Sequence, residues 1–158
     1  MKKILFMFGT RPEAIKFGPL VNIFKKNNTI FESKVIVTGQ HREMLDQVLS
    51  IFNIIPDYDL KLMSINQSLE QLTSKILVEA SDLILKLKPN LVFVQGDTTT
   101  TLAVSMAAFY QKVKVAHIEA GLRTNNIYSP FPEEINRRIT SSIATRRGVC
   151  FPSGVACS

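Results

Sequence analysis

Apolar residues fall along this chain in two alternating rhythms, and each change of rhythm coincides with a turn signal. Lys3 to Phe8 is a nearly unbroken apolar run of strand length, and Pro12 to Lys26 follows with Ile15, Leu20, Ile23 and Phe24 at helical spacing. Pro12 suits the first turn of that helix, where its missing N–H leaves no hydrogen bond unmade. Ser33 to Val37 reads as a second strand, and Arg42 to Phe52 as a second helix with Met44, Leu45, Val48, Leu49 and Phe52 on one face. Asn53 to Asn66, interrupted by Pro56, reads as a loop or a short extended piece. Ser68 with Gln71 three residues on is a capping box, and Leu69, Leu72, Ile76, Leu77, Ala80, Leu83, Ile84 and Leu87 carry a helical stripe toward Lys88 and Pro89. Leu91 to Val94, Thr99 to Tyr110 and Val113 to Ile118 then repeat strand, helix and strand. Pro132 to Ala144 makes a last helix, with Glu133 and Glu134 in the first turn, where the helix dipole favours carboxylates.

Strands and helices alternating at these lengths predict an α/β fold, a doubly wound parallel sheet of Rossmann-like type with helices on both faces. In such sheets ligands bind outside the carboxyl ends of the strands. Three of the predicted strands end on polar groups: Phe8 runs into Gly9-Thr10-Arg11-Pro12-Glu13, Val94 into Gln95-Gly96-Asp97-Thr98-Thr99, and the third carries His117 and Glu119 into Gly121 and Arg123. These ends are expected to converge on one crevice.

A chain of 158 residues, 46% of them apolar, is one domain's worth, enough to bury a core and about two-thirds of its unfolded surface. No apolar run reaches the roughly 20 residues that span a bilayer, and Met1-Lys2-Lys3 with Ile4 to Phe8 is too short for a signal-peptide core, so no membrane is expected and the location reads as cytoplasmic. Cys150 and Cys157 form neither a disulfide framework nor a metal-ligand spacing, and no metal is expected. The formal charge of +6 comes from lysines and arginines spread among acids, apart from Arg146-Arg147. That spread argues against nucleic acid as partner and leaves room for a small anionic ligand.

Gly9 to Lys16 lies at a strand-to-helix turn, where free N–H groups and the helix dipole favour anions, and Arg11 and Lys16 add positive charge. The turn is neither a Walker loop nor a dinucleotide fingerprint. A phosphate or diphosphate site is one reading of it, and an ordinary turn with surface cations is the other. Asp97 is either a helix cap or one of two carboxylates, with Glu119, that face one cavity. There, repulsion and partial burial are expected to raise a pKa toward the range a general acid or base needs. His117 and Glu119, two apart, share a face of their strand, and Arg123 either pairs with Glu119 or meets an anion. Glu133 and the stretch Gln40-His41-Arg42-Glu43-Met44 are equally open on spacing alone.

Taken in order, Gly9 to Lys16, Thr38 to Leu49, Gly96 to Thr101, His117 to Thr124 and Ser129 to Arg138 closely resemble the non-hydrolysing bacterial UDP-N-acetylglucosamine 2-epimerases. The resemblance covers roughly Met1 to Ile143. It implies the first of two Rossmann-like domains of a glycosyltransferase-B type fold, with residues 1–143 as that domain, 144–158 as an off-family tail, and the second, UDP-binding domain absent. It also implies interconversion of UDP-N-acetylglucosamine and UDP-N-acetylmannosamine without a cofactor, by elimination and return of UDP. On that likeness Asp97, Glu119 and Glu133 match carboxylates of acid/base catalysis, with no ranking among them. Arg11, Lys16, Asp97, Glu119, His117 and Arg123 match substrate-binding positions. Gln40 and Glu133 match a regulatory site, where Glu43 departs from the usual glutamine. Family members are generally dimers. A half of this kind is expected to be inactive alone, and the alternative is a non-catalytic nucleotide-sugar-binding or dimerising module, or a degenerate product.

Overall fold

The computed structural model describes residues 1–39, 42–64 and 66–148. Gln40, and with it the proposed regulatory contact, lies outside them, as do Cys150 and Cys157. In chain order the elements are β1 (Lys2–Phe8), α1 (Arg11–Lys26), β2 (Phe31–Val37), α2 (Arg42–Ile51), β3 (Tyr58–Asp59), α3 (Leu69–Leu87), β4 (Leu91–Gln95), α4 (Thr99–Tyr110), β5 (Lys114–Ile118), α5 (Glu133–Ile143) and β6 (Arg146–Gly148). The strands form one sheet in the order β3-β2-β1-β4-β5-β6, and every pairing is parallel. That is the doubly wound order, whose direction reverses between β1 and β4.

The alternation of side chains along β1 divides the interior in two. Ile4, Phe6 and Phe8 point to one face, where they pack with Ala14, Phe17 and Val21 of α1 and Leu45, Val48 and Leu49 of α2. Leu5 and Met7 point to the other face, against Leu72, Ile76, Ala80 and Ile84 of α3 and Ala103, Val104, Ala107 and Ala108 of α4. Because β1 is covered on both sides, its five consecutive apolar residues from Ile4 to Phe8 are all buried. Phe6 stacks on Phe93 of β4 at 4.9 Å between ring centres, which ties the two central strands from within the first layer. Gly18 lets α1 lie directly on Phe52, since a Cβ there would stand 2.3 Å from the ring.

Helix ends follow their sequence signals. Ser68 Oγ accepts from the Gln71 N–H at 3.3 Å and the Gln71 side chain accepts from the Ser68 N–H at 3.2 Å, so the capping box that opens α3 is formed in both directions. Thr98 caps α4 by accepting from the Thr101 N–H at 3.1 Å.

Two expectations are corrected, and one further segment takes a place in the sheet. On α1, Ile15 and Ile23 are exposed, and the buried face is Glu13, Ala14, Phe17, Gly18 and Val21. The apolar stripe is one step round from the expected one because the helix turns a charged residue, Glu13, inward. Met44 and Leu69 are likewise exposed at the outer rims of their helices. The segment after Ile143, set apart as a tail, contributes Arg146–Gly148 as the sixth strand, paired with β5 from Ala116 to Ile118. The folded unit therefore runs at least to Gly148. A three-residue edge strand without an apolar run is invisible to a periodicity reading.

Candidate active site where β1 and β4 part

The β1–β4 pairing ends at Phe6 opposite Phe93, whereas β1–β2 continues to Phe8 opposite Val37 and β4–β5 to Gln95 opposite Ile118. The sheet therefore opens at its carboxyl edge between its two central strands. A hollow of about 180 Å³ lies in that opening, and its walls include Thr10, Glu13, Asp97, Glu119 and Arg137. The expected convergence of the β1, β4 and β5 ends is realised there. A larger hollow of about 620 Å³ lies at the opposite edge, lined by Phe109, Tyr110 and Ile143 among others, and holds no carboxylate.

Glu119, the first residue after β5, takes a left-handed backbone (φ 62°), a conformation that costs a residue with a Cβ about 1 kcal/mol or more. Its side chain accepts from the Gln95 amide and pairs with Lys16 Nζ at 3.2 Å. Gly96, also at positive φ (71°), turns the chain from β4 to Asp97. Asp97 pairs with the Arg137 guanidinium of α5, and Asn136 donates to the Asp97 carbonyl at 2.9 Å. Each cleft carboxylate thus faces its own cation rather than its neighbour. Burial raises the carboxyl of Glu13, outweighing the hydrogen bonds from Gly9, Thr98 and Thr10 that oppose it.

Arg137 is itself buried. Besides Asp97 it donates to the Leu122 carbonyl at 3.0 Å and to Glu134 at 3.2 Å. Glu134 is fully buried and also accepts from the Thr124 N–H at 3.1 Å and from Arg138 Nε at 3.0 Å. Burial pushes its carboxyl up, but the Thr124 N–H and the two guanidiniums outweigh that and hold it below the ordinary value. This network fixes the loop from Leu122 to Thr124 against α5 and aims one arm of Arg137 into the cleft.

His117 does not reach the cleft. It is fully buried, with Nε2 2.7 Å from the Gly96 carbonyl, so the Nε2–H tautomer donates there while Nδ1 faces the Ser141 hydroxyl at 3.5 Å. Burial holds its pKa below the ordinary value, opposed by the Gly96 hydrogen bond and reinforced by Arg123 and Arg137. Its side chain braces the Gly96 turn. Arg123 donates to the carbonyls of Ala120 (2.7 Å) and Leu122 (2.6 Å) and to Ser141 (3.2 Å), so it closes its own loop, and the partner of Glu119 is Lys16. Arg11 lines an adjoining, mostly apolar hollow with Ile15 and Met44. Glu133 stands half-buried at the first position of α5, outside the hollow between β1 and β4. The structure therefore gathers Asp97, Glu119 and Lys16, and leaves Arg11 and Glu133 at the periphery. Glu13 and Arg137 belong to the site without standing among the residues expected there. Glu13 carried a signal, a capping-box acid after Thr10, but nothing local marks Arg137 as the partner of Asp97, 40 positions away.

A parallel sheet in this order, open between its central strands and lined there by acids and their cations, defines a Rossmann-like ligand-binding domain of the kind that forms the first half of a glycosyltransferase-B type fold. The chain belongs to the UDP-N-acetylglucosamine 2-epimerase family, whose model matches residues 24–151. It is 59% identical over 142 residues to the UDP-N-acetylglucosamine 2-epimerase of Neisseria meningitidis, an alignment covering 90% of this chain and 38% of that protein. Against the enzyme of that name from Salmonella borreze the identity is 61% over 144 residues, covering 91% and 38%. A crystal structure of the Neisseria meningitidis enzyme bound to UDP-GlcNAc superposes with a TM-score of 0.88 at 57% identity, over 92% of this chain and 39% of that one. The chain thus spans about 38% of the length of these curated relatives.

Proposed function

We propose that this chain supplies one wall of a UDP-N-acetylglucosamine 2-epimerase active site, interconverting UDP-N-acetylglucosamine and UDP-N-acetylmannosamine in the cytoplasm. The observation that carries the reading is the convergence of Asp97 and Glu119 on one cleft, with Lys16 beside Glu119. The sugar C2–H is not next to a carbonyl and is hardly acidic, so direct removal of that proton is slow. Loss of the C2 proton to a carboxylate as the C1–O bond to UDP breaks gives a glycal-type intermediate. Return of UDP to C1 with a proton delivered to the other face of C2 gives the epimer. Lys16 stabilises the departing diphosphate, and Asp97 and Glu119 divide the proton transfers at the cleft, with Glu133, the third carboxylate that the family likeness matches, outside the hollow. No redox step arises.

Size supports the division of the site. A hollow of about 180 Å³ is below the roughly 300–1,000 Å³ of a small-molecule site, so these residues hold a fragment of a nucleotide sugar, and a facing wall encloses the rest. In the family resemblance that wall is the second domain. An alternative, a nucleotide-sugar-binding or dimerising module, draws on α3, where Val78 and Leu85 are exposed one heptad apart. Sedimentation equilibrium reads self-association directly.

The test is incorporation of deuterium at C2 of UDP-N-acetylglucosamine in D2O, read by mass spectrometry, with the Neisseria meningitidis enzyme as control. We expect label from the control, little from these 158 residues alone, and none from a control carrying asparagine at the position matching Asp97. Full labelling by that variant contradicts the role given to Asp97.

A further inference from the structure

Glu13 is a charged residue with 1% of its surface exposed, and it makes more hydrogen bonds than any other side chain in the cleft. Its Oε2 accepts from the Gly9 N–H at 2.9 Å, the Thr10 N–H at 2.7 Å and the Thr10 hydroxyl at 2.8 Å. Its Oε1 accepts from the Thr98 hydroxyl at 2.7 Å. Thr101 Oγ1 lies farther off at 3.3 Å and has the Gln95 carbonyl at 2.5 Å for its proton. Four hydrogens therefore meet a carboxylate that offers about four lone-pair sites. One oxygen is committed to the β1–α1 turn and the other to the β4–α4 turn.

Those two turns are the lips of the opening where the β1–β4 ladder has stopped. Backbone hydrogen bonds hold β1 to β2 and β4 to β5 up to their last residues, and the central gap lacks that support. One lip leads into Lys16, a single helical turn after Glu13. The other carries Asp97, next to Thr98. Resting on the epimerase reading above, we propose that Glu13 is a positioning residue, its carboxylate strapping the β1–α1 turn to the β4–α4 turn so that the Lys16–Glu119 and Asp97–Arg137 pairs are held at a working separation. Glu13 acts in this role through the two turns it ties, its side chain being almost wholly buried.

The experiment compares the chain with its Glu13→Ala and Glu13→Gln variants by amide NMR and by titration with UDP. Alanine cuts the strap. Glutamine keeps it, with the amide oxygen toward Gly9 and Thr10 and the NH2 toward the hydroxyl oxygens of Thr98 and Thr101. The amides of Lys16, Asp97 and Glu119 are expected to shift in Glu13→Ala and to return in Glu13→Gln. UDP affinity should fall roughly tenfold or more in Glu13→Ala, the scale of one lost charge-assisted contact, and recover in Glu13→Gln. A bond of purely local meaning would move Gly9 and Thr10 alone and leave UDP affinity unchanged, which overturns the proposal. Failure of glutamine to rescue also overturns it. If Glu13→Ala does not fold, Thr98→Asp cuts the same tie from the other side, since aspartate caps α4 but repels the Glu13 carboxylate. If the unsubstituted chain binds no UDP, as a half that lacks the facing wall can, the nucleotide-sugar reading is judged by the deuterium assay above, and the Lys16, Asp97 and Glu119 amides uphold or refute the strap by themselves.

Discussion

Replacing Lys16 by methionine separates function from stability, because the structure gives the two effects different sizes. Lys16 Nζ and Glu119 Oε1 are 3.2 Å apart, with side chains 44% and 27% exposed. Two unit charges at that distance attract by about 1.3 kcal/mol at the dielectric of water and about 5 kcal/mol at an effective value of 20. Salt screening and the entropy of holding a long side chain reduce a pair this exposed to roughly 0.2–1 kcal/mol. Glu119 keeps its hydrogen bond from Gln95, and the methionine retains the apolar stem. The melting temperature should therefore fall by no more than about 4 °C for a chain of this length. Loss of a charged contact to a diphosphate is worth roughly 1.5–3 kcal/mol, or about 10- to 150-fold in affinity. Differential scanning calorimetry and isothermal titration with UDP read the two quantities on the same samples. A drop of more than about 8 °C with UDP affinity unchanged would make Lys16 a structural strut with no part in holding the diphosphate.

Two further predictions follow from buried groups. Arg137→Lys retains the charge but not the planar fork that holds Asp97, Glu134 and the Leu122 carbonyl together, and the expected loss is about 2 kcal/mol, or roughly 4–8 °C in melting temperature; an unchanged melting curve would show that a point charge suffices. For His117 the folded pKa lies below the unfolded one, so the unfolded chain binds more protons once the pH drops under the ordinary imidazole value. Stability from this group is present above that value and is lost as pH falls through the folded pKa, with a slope no steeper than about 1.4 kcal/mol per pH unit for one proton. Urea unfolding midpoints between about pH 7 and 5 should decline less in His117→Gln than in the unsubstituted chain. Parallel declines would show that His117 is not the group responsible.

Much of the fold was legible because parallel strands buried on both faces write themselves as continuous apolar runs, and their helices as stripes between turn signals. β1, β4, β5, α3 and α4 fall within a residue or two of the pattern read from the sequence. β6 was not legible. Three residues at a sheet edge, Arg146 to Gly148, owe their conformation to pairing with β5 and carry no apolar rhythm of their own.

The site divides along the same line. That Asp97 and Glu119 lie at one edge follows from the chain's pattern alone, because a parallel sheet sends all its strand ends the same way and the polar residues follow the apolar runs immediately. The ligand class came from the ordered motifs. The partners of these charges come from the packing of the fold: Lys16 for Glu119, Arg137 for Asp97, Thr98 and Thr101 for Glu13, and a backbone carbonyl for His117. Local sequence sets where a side chain emerges from its strand or helix. Which side chain it meets depends on how far the neighbouring strands remain paired, and here the early end of the β1–β4 ladder opens the cleft that Glu13 spans.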